Sequence, residues 1–293
     1  MEYRVSSGVG RVPGIFLSLP LMCVSAISLA NSSVGSVPPY QEYSKVVNSA
    51  EMVGALDGGM FGDQTSLYNG STEFAVTDID LPGNNSLPVR LARRLKIESR
   101  EYTQSIGGFG IWDIDIPHMY GVFDSAYKWN VAGNGATGRC SQFWFAKTHH
   151  SASIGEVWSG NHIYIPGSGD QEVLQLTPDH QVPAGAGSVW GTRNDFRFSC
   201  IPSMQNGYPG EGFIAISPEG VRYIFDIGVE RMAPSMDGGR AYYASRTKVL
   251  LLPSRVEDVH GNWVNYTYVE GRLSRIESND GRAIDLQYAG GRL

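Results

Sequence analysis

Three shortages bound this chain before any motif is read. Basic residues are outnumbered, with 23 Lys and Arg against 29 Asp and Glu and a net charge of −6. A surface that tracks phosphates needs the opposite balance, so nucleic acid is not an expected partner. Long helical periodicity is lacking, since residues 121–212 never keep apolar side chains on one helical face for three turns. Catalytic signatures are lacking too. There is no P-loop, no HExxH, no nucleophile elbow and no CxxC pair, and Gly167-Ser168-Gly169 has the wrong spacing for an elbow. No catalytic residue, cofactor or metal is expected, and the chain reads as a non-enzyme.

Cysteine is also scarce, with three in 293 residues. Cys23 lies in an apolar run, Ile15–Ala30, that follows Arg4 and Arg11 and ends on small residues. That pattern predicts a secretory signal peptide over 1–30, cleaved after Ala30, with a cut after Ala26 or an uncleaved anchor as alternatives. The run is short of the roughly 20 residues a membrane helix needs. Export leaves Cys140 and Cys200, which could form one disulfide or remain two buried thiols. A bridge closing a loop of about 60 residues would stabilise by about 4 kcal/mol in the chain-entropy account.

What is abundant is glycine and aromatic residues: 36 Gly, 15 Tyr and 6 Trp. Together they predict short strands joined by tight turns, an all-β fold of antiparallel strands and hairpins. Residues 31–60, rich in Ser, Gly, Asn and Pro, read as a mobile leader. Residues 61–212 read as an N-terminal β-rich domain. Within it Thr72–Leu81 alternates as a half-buried strand, Pro82–Asn85 is a turn, and Leu87–Leu91 starts the next strand before the basic pair Arg93-Arg94. Ile163-Tyr164-Ile165 is a further strand, followed by a glycine-rich turn over Pro166–Asp170.

Two clusters there raise chemical alternatives. Asp113 and Asp115 would share one strand face about 7 Å apart, as a glycosidase carboxylate pair could, or simply as a solvated face. His149-His150, joined by His162 or His180, could ligate a metal, but neighbours on a strand point to opposite faces, so surface histidines are the simpler reading.

From Phe213 the pattern becomes regular. Phe213–Ile216, the turn Ser217-Pro218-Glu219-Gly220 and Val221–Asp226 form a hairpin by sequence. Then Gly261–Leu273 lies over Gly281–Leu293 with a twenty-residue offset, glycine on glycine, Tyr268 on Tyr288, and Gly271-Arg272-Leu273 on Gly291-Arg292-Leu293. A fixed period of this size marks stacked units that bury each other's apolar faces.

Asp258, Gly261-Asn262, Tyr266, Tyr268, Gly271-Arg272-Leu273, Gly281-Arg282, Tyr288 and Gly291-Arg292-Leu293 resemble the YD repeats of Rhs proteins. Leu67–Phe74, Leu81–Val89 and Gly108–Trp112 are similar to the N-terminal part of exported, wall-associated Rhs-type proteins. The resemblance implies that 213–293 begins a β-shell of coiled hairpins. Such a shell encapsulates or presents a C-terminal effector, often a toxin, in competition between bacteria or against hosts. It implies as partners the remainder of the shell, the effector and the export apparatus, and it names Gly261, Tyr266, Tyr268, Gly271, Arg272, Leu273, Gly281, Tyr288, Gly291, Arg292 and Leu293 as structural residues of the repeat. The array here is short, so the chain alone is not expected to enclose a cavity. The alternative is a cell-surface module for cell-wall glycan, with Trp129, Trp144, Trp158 and Trp190 stacking on sugars or, more simply, lying in the core.

Overall fold

The structure is a computed structural model that describes residues 63–65, 72–97, 109, 112–129, 138–142, 146–148, 154–158, 160–176, 187–237 and 243–289. All of them belong to one compact unit. The expected signal peptide and leader lie outside the described residues, as do Gly291, Arg292 and Leu293.

The fold is all-β and antiparallel. A four-stranded sheet comes first: β1 (Asp63–Thr65), β2 (Thr72–Leu81), β3 (Val89–Ile97) and β4 (Asp113–Ile114), in that order. Eight strands follow and close on themselves: β5 (His118–Asp124), β6 (Asn161–Ile165), β7 (Gly169–Gln175), β8 (Gly187–Gly191), β9 (Arg197–Ile201), β10 (Gly212–Ile216), β11 (Arg222–Asp237) and β12 (Tyr243–Glu257). Each pairs with its successor, and β12 pairs back onto β5, which makes a barrel. One helical turn, α1 (Ile154–Val157), lies between β5 and β6. Beyond the barrel, β13 (Trp263–Val269), β14 (Arg272–Ser278) and β15 (Ala283–Asp285) continue from β12 as a meander.

Eight strands leave an interior just wide enough for side chains to fill. Met119, Phe123, Ile163, Phe198, Phe213, Phe225 and Leu251 fill it, all at most 2% exposed. A second core forms where the four-stranded sheet meets the meander, from Leu87, Val89, Leu91, Ile114, Ile116, Val264, Leu273 and Ile276. Strand β12 serves both. Val249 and Leu251 point into the barrel and Leu250 and Leu252 into the second core, so four consecutive apolar residues are each 0% exposed. A strand buried on both faces reads as a continuous apolar run instead of an alternating one.

Strand pairing runs across the expected division at 212/213. The barrel draws strands from both sides of that point, because β10 pairs with β9 and β12 with β5. The first expected hairpin of the array, 213–226, forms and takes its place in the barrel beside β9 and β12. Of the described strands from 213 onward, β13 to β15 lie outside the barrel.

Candidate functional site

The repeat is a repeat of hydrogen bonds. At three turns a residue's amide donates to the carbonyl four positions on, and the glycine between donates back to it. The pairs are Ser217 with Val221 and Gly220, Asp258 with Asn262 and Gly261, and Ser278 with Arg282 and Gly281, at 2.9 to 3.2 Å. Gly220, Gly261 and Gly281 hold φ of 85°, 82° and 89°, a region that a side chain disfavours. The first and second turns are 41 residues apart and the second and third 20, close to two periods and one. The second and third units also have a tyrosine peg. Tyr268 donates its hydroxyl to the Pro253 carbonyl at 2.9 Å, and Tyr288 to that of Leu273 at 2.8 Å, both reaching fifteen residues back. Glu270 and Gly271, with φ of 51° and 71°, form the two-residue turn between β13 and β14. Leu273 is fully buried, Tyr266 packs on the second core, and the exposed Arg272 lies over the Tyr288 ring at 5.6 Å.

One turn is also an anchor. Arg282 pairs with Asp280 at 2.8 Å and donates to the carbonyls of Leu81 and Leu87 and to Asn85 Oδ1 at 3.0 to 3.2 Å. The Asp280 carboxyl is held down at about 2, chiefly by the hydrogen bond from Arg282. The last described turn of the meander is thereby strapped to the β2–β3 turn, some 200 residues away in sequence.

The densest ionisable cluster lies between β3 and the barrel. His118 is buried, donates from Nδ1 to the Ile116 carbonyl at 2.9 Å, and has no partner for Nε2 among the described residues. Burial, then the charges of Arg94 and Lys248, lower its pKa to about 3 against the pull of that carbonyl. The Arg94 guanidinium lies 3.5 Å from the centre of the Tyr164 ring and 4.0 Å from Asp170. Tyr164 donates its hydroxyl to Asp115 at 2.6 Å, and Arg90 stands 3.7 Å from the other Asp115 oxygen. A cavity of about 360 Å³ adjoins the cluster, walled by Arg90, Asp115, Tyr223, Val256, Val264 and Tyr266. Perturbed groups beside a cavity are the usual signature of a functional site. His118 itself, however, is 1% exposed and is not among the residues that wall the cavity. What the cluster does is lock β3 onto the barrel through cation–ring and carboxylate–hydroxyl contacts.

The solvated face expected for Asp113 and Asp115 is not found at Asp115, which lies just past β4, 8% exposed and held by Tyr164 and Arg90. Trp129 and Trp190 are 1% and 4% exposed inside the barrel, and Trp158 packs against the same core, so these three are not open sugar platforms; Trp144 lies outside the described residues. His149, His150 and His180 also lie outside them, while His162 stacks on Tyr120 with centres 5.1 Å apart.

Cys140 and Cys200 form a disulfide, with Cα atoms 5.6 Å apart. Glu211 lies beside it and would complete a three-ligand metal set, but bonded sulfurs are not available as thiolates. Glu211 instead accepts from the amides of Cys140 and Ser141 and from the Ser141 hydroxyl at 2.7 to 2.9 Å, and Arg139 donates to the Pro209 carbonyl. His118 and Glu211 carried no signal in the sequence beyond their residue types, and Arg282 and Tyr164 only that of a repeat position and a strand. Their roles depend on strands that meet only in three dimensions. Neither a protein-family model nor a curated protein sequence matches this chain.

Proposed function

We propose that the chain is a non-catalytic structural module, the N-terminal part of an exported YD-repeat β-shell that encapsulates or presents an effector. The observation that supports this most is the pair of tyrosine pegs. Tyr268 to Pro253 and Tyr288 to Leu273 are the same bond one period apart, made from β13 and from the segment just past β15. A unit that repeats its hydrogen bonds as well as its residues can be extended by addition at its edge. Among the described residues β15 pairs only with β14, so that edge faces the direction in which a following unit would add. The barrel at the other end, filled with side chains and closed by a disulfide, serves as the cap that such arrays need.

The reading frame past Leu293 tests the proposal. Further units of about twenty residues are expected, each with glycine three positions after an Asp or Ser turn head and tyrosine seven positions after the glycine. A frame without such units overturns it. Export is checked separately, by N-terminal mass spectrometry of secreted chain, which should begin at Asn31.

A further inference from the structure

Strand β12 shares one edge between two partners. Residues 246–251 pair with β5 and residues 255–257 with β13, so the sheet forks over 252–254. A groove of about 780 Å³ lies at the fork, a volume typical of ligand sites. Gln205, Asp226, Ser254, Asn265, Thr267 and Glu270 line it.

Its floor is a double irregularity. Ile224 pairs with Arg255, Phe225 with Pro253 and Ile227 with Leu252, so Asp226 and Ser254 are both left out of the ladder. The bulge turns β11, since Phe225 packs into the barrel and Ile227 into the second core. Turning a strand requires an extra residue but not a carboxylate. Yet Asp226 Oδ1 is buried with no hydrogen-bond partner among the described residues. Burial raises the Asp226 pKa against the pull of the Ser254 hydroxyl and its own amide. A buried acceptor left open beside a groove is free to take a donor from water or from a ligand in the groove.

The other groups define that donor. The Gln205 and Asn265 amides and the Thr267 hydroxyl each donate and accept, and Glu270 accepts; none of the four makes a side-chain hydrogen bond among the described residues. The groove's arginine, Arg255, is already engaged, paired with Glu257 at 3.4 Å and lying over Trp263, so nothing favours an anion. The groove's carboxylates do not converge as a three-ligand metal set. Sugar hydroxyls, which also donate and accept, match this lining, and the rings of Tyr266 and Tyr268 border it for apolar ring faces. We propose that the fork groove binds a short neutral glycan, with Asp226 accepting a sugar hydroxyl at its floor. This site does not depend on how the repeats continue.

Isothermal titration and saturation-transfer NMR on the exported, disulfide-bonded chain test it, with chitotetraose, cellotetraose and maltotetraose as probes and tetralysine as the cationic control. At least one sugar should saturate, and Asp226→Asn should weaken it about tenfold, as loss of a charge-assisted bond does. Thr267→Ala, at an exposed position, should weaken it several-fold without shifting the melting temperature, which keeps the test valid if Asp226→Asn fails to fold. The proposal is overturned if no sugar saturates at millimolar concentration, if tetralysine alone binds, or if Thr267→Ala leaves sugar affinity unchanged.

Discussion

The tyrosine pegs allow the repeat to be tested one atom at a time. Tyr268→Phe removes a single hydroxyl and leaves the buried Pro253 carbonyl without the donor that reaches it at 2.9 Å. Pro253 cannot compensate from its own nitrogen, and the Tyr268 hydroxyl lies deep, its pKa driven well above 10 by burial. An unsatisfied buried acceptor costs about 1–2 kcal/mol. Tyr288→Phe breaks the same bond at the meander's outer edge, where burial raises the pKa only to about 12 and water can replace the lost hydroxyl. Its cost should be about 0.5–1 kcal/mol. Truncation to alanine adds the ring, bringing Tyr268→Ala to about 3–4 kcal/mol and Tyr288→Ala to about 2 kcal/mol.

The assay is urea unfolding of the disulfide-bonded chain, followed by both tryptophan fluorescence and far-ultraviolet circular dichroism. Midpoints should move while slopes stay constant, since neither change alters the surface exposed on unfolding. The reasoning fails if Tyr268→Phe is within about 0.3 kcal/mol of the parent, or if Tyr288→Phe costs more than Tyr268→Phe. Either result would mean that the twenty-residue period is a pattern of residue types without a shared structural unit.

Four other outcomes are expected. Because His118 is held at about 3 in the fold against an ordinary value of 6.5, the unfolded chain binds the extra proton between those values; stability should be intact above pH 6.5 and fall toward pH 3, and His118→Gln should flatten that limb of a melting-temperature profile. Tyr223 and Tyr288 are both raised to about 12, and Tyr266 and Tyr268 higher still, all first by burial; stability should therefore hold below pH 10 and be lost as pH rises through those values, with phenolate absorbance appearing together with unfolding. Arg282→Ala leaves the Leu81 and Leu87 carbonyls without its donors and should cost about 2–3 kcal/mol in urea unfolding, with hydrogen exchange quickening first in β2, β3 and β15. Replacing Cys140 and Cys200 together by serine opens a 60-residue loop and should cost about 2–4 kcal/mol, and reduction of the parent should lower stability by a similar amount.

Strand identity was legible because local rules agreed with tertiary ones. Thr72–Leu81 alternates and is β2, and Ser217–Gly220 is a turn in sequence and in space. The glycines of the repeat were legible for the same reason, since a positive φ excludes most alternatives at one position without reference to partners. Barrel closure was not legible. It depends on β12 reaching β5 across more than 120 residues, and the only local trace is the uninterrupted Val249–Leu252, which a helix or a buried strand explains equally well.

The polar positions were hidden by a different cause. Asp115 was read as solvated; its amide pairs with the Ala92 carbonyl just past the end of β4, and its carboxylate meets Tyr164 on the barrel. At Asp226 the bulge breaks the alternation that would have placed it. In this fold the side chains that sequence periodicity misplaces are those at ladder breaks, and ladder breaks are where β4 meets the barrel and where β11 passes from one core to the other. The arginines follow from this geometry. Arg94 and Arg282 each bridge elements that periodic burial alone would leave unlinked, one holding β3 to the barrel and the other holding the meander to the β2–β3 turn. Apolar periodicity therefore accounts for the strands, and a few buried polar contacts at its interruptions account for how the two cores are joined.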